Sequence, residues 1–116
     1  MPQFAVLIYA GESVHAPTAT AAQLKECDDD YDALVASGRI RIAYALTPRD
    51  HAMTVTSAGR TAGSHQSGDL VAGFYVLEAV DIDEAARLAR NNPAVHSGGA
   101  VEIRPVHSGG VVAQGD

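Results

Sequence analysis

The stretch 73–80, Gly-Phe-Tyr-Val-Leu-Glu-Ala-Val, reads as a β-strand in which nearly every position is apolar. A strand with one wet face alternates apolar and polar residues. This one does not, so both of its faces need cover. Residues 4–9, Phe-Ala-Val-Leu-Ile-Tyr, have the same character. Two such strands require a sheet with something packed on each side.

The rest of the chain narrows what that cover can be. At 116 residues it is one domain. A chain of this size buries roughly two-thirds of its unfolded surface, so it needs no disulfide or metal to fold. Cys27 is the only cysteine, which excludes a disulfide framework and a multi-cysteine zinc site. No H-x-H, HExxH, phosphate-loop, nucleophile-elbow or dinucleotide spacing occurs, and no cofactor or metal is expected. The formal charge of -6 argues against nucleic acid as a partner. The apolar run 4–10 is too short to span a membrane and lacks the basic start of a signal peptide. A cytoplasmic protein with no membrane partner is expected.

Thr20-Ala-Ala-Gln23 has capping-box spacing and opens a helix. Leu24, Cys27, Tyr31, Leu34 and Val35 form its apolar stripe, Gly38 ends it, and Asp28, Asp29, Asp30 and Asp32 read as a solvated acidic face. Residues 39–46 alternate, with Ile40, Ile42, Tyr44 and Leu46 sharing one face, as in an edge strand. Residues 53–57, turned at Ala58-Gly59, predict an irregular hairpin, followed by a mobile polar loop over 61–68. After the strand 73–80, Asp81-Ile-Asp-Glu84 is a second capping box, and Asn91-Asn92-Pro93 stops that helix. Residues 95–99 read as loop. Residues 100–106 are the last strand, with Glu102 and Arg104 close enough to pair.

The order is β-α-β-(hairpin)-β-α-β, an α+β, ferredoxin-like plan with a four-stranded antiparallel sheet. That plan puts the first and third strands at the centre, and these are the two that are apolar on both faces. Both helices cover one face. A bare opposite face would be a patch of several hundred Å². The expectation is therefore a homodimer through the sheet faces, with room for a small-molecule ligand in a cavity. The domain spans 1–107, and 108–116 reads as a flexible tail.

Residues 1–9 (Met-Pro-Gln-Phe-Ala-Val-Leu-Ile-Tyr), 73–78 (Gly-Phe-Tyr-Val-Leu-Glu) and 98–106 (Gly-Gly-Ala-Val-Glu-Ile-Arg-Pro-Val) resemble the YCII-related proteins, specifically their DGPF-type branch. The resemblance implies a dimeric α+β barrel and covers nearly the whole chain. Some members are suggested to be enzymes with a His–Asp pair. Relatives of the fold include muconolactone isomerase-like and dehalogenase-like proteins, and other members accompany sigma factors. The chain departs from the pattern. The Asp-Gly-Pro-Phe motif is missing near Thr61-Ala-Gly-Ser64. The family's first-helix histidine falls near Cys27, a second branch histidine near Asp30, and the dyad's aspartate at Asn92 before Pro93.

Candidate site residues follow from chemistry. His65 with Asp69, or His51 beside Arg49, could move protons, with Arg49 holding a carboxylate. An exposed loop or surface turn is the commoner setting for such residues. Cys27 is a buried thiol or, lining a pocket, a nucleophile. Tyr9, Tyr44 and Tyr75 either pack the core or place hydroxyls in a cavity. Three function classes remain open: a small-molecule binding protein, an acid–base enzyme of the isomerase, lactone or dehalogenase type, and a protein-interaction module.

Overall fold

A computed structural model of the chain describes residues 1–13 and 16–112. His15 and the last four residues of the expected tail lie outside the described residues. The elements are β1 (Gln3–Ala10), α1 (Ala21–Ala36), β2 (Ile40–Ala45), a 3-10 turn (Arg49–His51), β3 (Met53–Thr56), β4 (Gly59–Ala62), β5 (Leu70–Glu78), α2 (Ile82–Ala89), α3 (Pro93–His96) and β6 (Ala100–Pro105). The main sheet is antiparallel with strand order β2-β5-β1-β6. The two strands that are apolar throughout are thus the central ones. Their register sets Val6 opposite Tyr75 and Phe4 opposite Leu77 on one face. That face carries the core, in which Phe4, Val6, Leu34, Tyr75, Leu77, Ala79, Ala85 and Ala89 are buried.

Helix α1 begins as its sequence dictates. The Thr20 hydroxyl accepts from the Gln23 N–H (3.1 Å), and the Gln23 side chain accepts from the Thr20 N–H (2.8 Å). Gly38 takes a φ of 72° just past the helix end, a conformation that costs glycine little. Yet Leu34 is the only residue of α1 that is buried. Tyr31 and Val35 are exposed, so the helix is turned away from the stripe read in its sequence.

Three local expectations need correction. The alternation of β2 is broken by a register shift between Ile40 and Ile42. Ile40 therefore packs on the core beside Ala43, while Ile42 and Tyr44 sit on the other face with Val76 and Phe74. The second capping box forms by half. The Asp81 carboxylate accepts from the Glu84 N–H (2.8 Å), but Glu84 reaches past Asp81 to the Val80 N–H (3.0 Å) and pairs with Arg39 (2.6 Å). Val95 and His96, expected in a loop, lie in the short helix α3. Pro93 opens α3 because a proline at the first helical position lacks only an N–H that would go unpaired there.

The face away from the helices bears Leu7 on β1, Phe74 and Val76 on β5, and Ile42 and Tyr44 on β2. Tyr44 is 59% exposed, and its ring meets that of Phe74 at 5.6 Å between centroids. On the same face the Tyr9 hydroxyl donates to Glu102 (3.1 Å). That bond takes Glu102 from its expected partner: no ion pair joins Glu102 to Arg104 among the described residues. Strands β3 and β4 form the hairpin, apart from the main sheet. No helix among the described residues is long and apolar enough to cross a membrane.

Candidate functional site

Between α1 and the sheet lies a cavity of about 530 Å³. That is ample for a small organic ligand, for which pockets of roughly 300–1,000 Å³ are usual. Its floor is the helix-side face of the sheet: Ile8, Ala43, Gly73 and Tyr75. Small residues keep this floor low. At Gly73 a Cβ would come within 2.8 Å of the Tyr44 carbonyl oxygen, so glycine also lets β2 and β5 approach. Cys27, Asp30 and Leu34 of α1 form the wall, one to two turns apart on a single line. Asn92 and Pro93 close one end.

The polar groups are arranged by the backbone. Asn92 caps α3, its Oδ1 accepting from the Ala94 N–H at 3.0 Å. With the amide oxygen so held, the amide nitrogen faces Asp30, at 3.5 Å from Oδ2. Asp30 is half-buried, and burial raises its pKa above the ordinary carboxylate value, against the opposing pulls of Asn92 and His96. Burial likewise pushes the Cys27 thiol up, helped by the charge of Asp30. Cys27 is thus a poor thiolate at neutral pH. Tyr75 is only 3% exposed, and its hydroxyl, wholly buried, has no hydrogen-bond partner in the protein. Burial and the nearby charge of Asp30 both push the Tyr75 pKa up, so this hydroxyl stays neutral.

The candidates named from sequence divide by location. Cys27, Tyr44 and Tyr75 border this cavity, although the Tyr44 ring pairs with Phe74 on the far face of the sheet. Tyr9 points to that far face and is bound to Glu102, which is the main cause of its raised pKa. Arg49 ties loops together. Its guanidinium donates to the carbonyls of Gln66 (2.9 Å), Gly11 (3.1 Å) and Gly68 (2.5 Å). Glu12 accepts from the N–H groups of Ser13 (2.8 Å) and Arg49 (3.0 Å), and these bonds hold its carboxyl below the usual range. His51 is exposed, 4.0 Å from Asp50. His65 borders a second hollow of about 450 Å³ at the base of the hairpin. No hydrogen bond or ion pair links His65 to Asp69 among the described residues. Nor, among the described residues, do three His, Cys, Asp or Glu side chains converge as a metal site would require.

Residue chemistry alone does not mark two of the site residues: Asp30 reads as part of a solvated face and Asn92 as a helix stop. A signal existed for each. Asp30 lies three residues after Cys27 and four before Leu34, and an Asn before Pro is a natural helix cap. Where the resemblance expects a second histidine and the dyad's aspartate, the chain has Asp30 and Asn92, and the fold brings these two together.

The family model of the YCII-related domain matches residues 2–108. No curated protein matches the chain.

Proposed function

We propose that this chain, which belongs to the YCII-related family, binds a small organic molecule in the cavity between α1 and the sheet. The apolar floor takes the body of the ligand, and Asp30, Asn92 and Tyr75 take its polar end. The observation that carries this reading is the Tyr75 hydroxyl, buried without a protein partner beside a ligand-sized cavity. A buried hydroxyl left unpaired costs about 1–3 kcal/mol, a cost that a fold under selection for stability alone would lose by carrying Phe there. A ligand that pairs with the hydroxyl gives that cost a use.

Titration with 2-phenylethanol, followed by amide NMR, tests it. The amide signals of Cys27, Gly73 and Ala94 should move together. Shifts confined to residues outside the cavity, or none at millimolar concentration from any probe with this phenylethyl body, would overturn the reading. We further propose that two copies associate through the sheet faces opposite the helices. Support comes from the apolar side chains of Leu7, Ile42, Phe74 and Val76 that share that face.

A further inference from the structure

The cavity's charge is one-sided. Among the described residues that border it, every charged side chain is an acid: Glu12, Glu26, Asp28 and Asp30. No Lys, Arg or His is among them. Arg49 directs its guanidinium away, to the carbonyls of Gly11, Gln66 and Gly68. The chain's formal charge of -6 deepens the same field. The charged side chains among the described lining residues would repel an anionic ligand.

Acidic residues alone would be a solvated surface. The second observation is the Tyr75 hydroxyl: the residue lines the cavity and is 3% exposed, and the hydroxyl is buried without a protein partner. It lies near enough to Asp30 to feel that charge, yet makes no hydrogen bond to it. A neutral tyrosine hydroxyl can accept a hydrogen bond as well as donate one. An ammonium group carries three donors and one positive charge. Set between Asp30 and Tyr75, it would neutralise the one and satisfy the other. The tyrosine rings of Tyr31 and Tyr75, both bordering the cavity, favour a cation further.

We infer that the ligand is a small organic cation, a primary amine on an apolar body, with its ammonium group held between the Asp30 carboxylate and the Tyr75 hydroxyl. The inference rests on the cavity being the binding site. The groups that face Asp30 are Cys27 from α1, Asn92 and His96 from α3, and Tyr75 from β5. Amine affinity therefore rises with pH as Asp30 ionises.

Three probes with a common body separate the possibilities: 2-phenylethylamine, cationic at pH 7.5, neutral 2-phenylethanol, and anionic phenylacetate. Isothermal titration gives affinities and amide NMR gives location. The amine should bind about tenfold more tightly than the alcohol, the difference between a charge-assisted and a neutral hydrogen bond, and phenylacetate should bind least. Asp30→Asn should reduce the amine to the level of the alcohol. Asp32→Asn, at an exposed acid of the same helix outside the cavity, should leave the preference intact. If the alcohol or phenylacetate binds at the cavity as tightly as the amine, or if Asp32→Asn erases the preference as fully as Asp30→Asn, the cation inference is wrong and the cavity reading stands. If none of the three moves the cavity signals, both are wrong.

Discussion

Replacing Tyr75 with Phe should make the ligand-free protein more stable and the binding site worse. The ring of Tyr75 is buried in the core with Val6 and Leu77, and Phe preserves that packing. Only the hydroxyl goes, and the hydroxyl has no partner in the protein. Its unpaired burial costs about 1–3 kcal/mol. The lower end applies, because Tyr75 borders a cavity and small ring movements can relieve part of the cost. About 1 kcal/mol of stabilisation is expected. At about 2.1 cal/mol/K per residue, 116 residues have an unfolding entropy of about 0.24 kcal/mol/K, so the melting temperature should rise by about 4 °C. Thermal unfolding followed by circular dichroism measures this directly. The same variant should bind 2-phenylethylamine about fivefold more weakly, the worth of one hydrogen bond of about 1 kcal/mol. A melting temperature equal to or below that of the parent would refute the argument. It would mean that the hydroxyl is bonded within the fold and is not held ready for a ligand.

Two further perturbations probe the rest. Burial raises the folded-state pKa of Asp30, so the folded chain holds that proton more tightly than the unfolded one. The cost of ionising Asp30 is absent below the unfolded pKa of about 3.9 and appears in full as pH rises through the raised value. Asp30→Asn should therefore raise the melting temperature at pH 7 and lose that advantage near pH 3; an equal advantage at both pH values would show that the carboxylate is not desolvated. Sedimentation velocity should find the parent chain dimeric and Ile42→Glu, on the open sheet face, monomeric with its fold intact. A parent that sediments as a monomer at micromolar concentration would remove the case for paired sheets.

The skeleton is legible residue by residue because it rests on local and near-local chemistry. Thr20 and Gln23 cap a helix wherever that helix lies. Gly38 ends it by the same backbone geometry. The central position of β1 and β5 follows from an apolar pattern that only a strand covered on both faces can tolerate. The site was legible only in part. Cys27 and Tyr75 could be named as cavity candidates, but Asp30 could not. On α1 the apolar stripe centred on Cys27 and Tyr31 and the line through Cys27, Asp30 and Leu34 differ by roughly half of one residue's 100° step. Which line faces inward depends on how the helix leans on the sheet and on α3, and periodicity does not resolve so small a rotation. The bulge after Ile40 is hidden for a related reason: one extra residue in a ladder moves every later side chain to the other face and leaves no mark in the apolar–polar pattern of the sequence.

The amino-acid order by itself therefore determined the fold plan, the helix starts and the acidic, cysteine-poor chemistry available to this protein. Tertiary structure decided where that chemistry acts. It left His65 and Asp69 without a bond between them and turned Arg49 to backbone carbonyls. It also brought Asp30 of α1 to Asn92 of α3, sixty-two residues away along the chain. Desolvation is the physical reason for the difference. A carboxylate's surroundings are set by what packs around it, and for Asp30 that packing is complete only when α1, α3 and β5 are all in place.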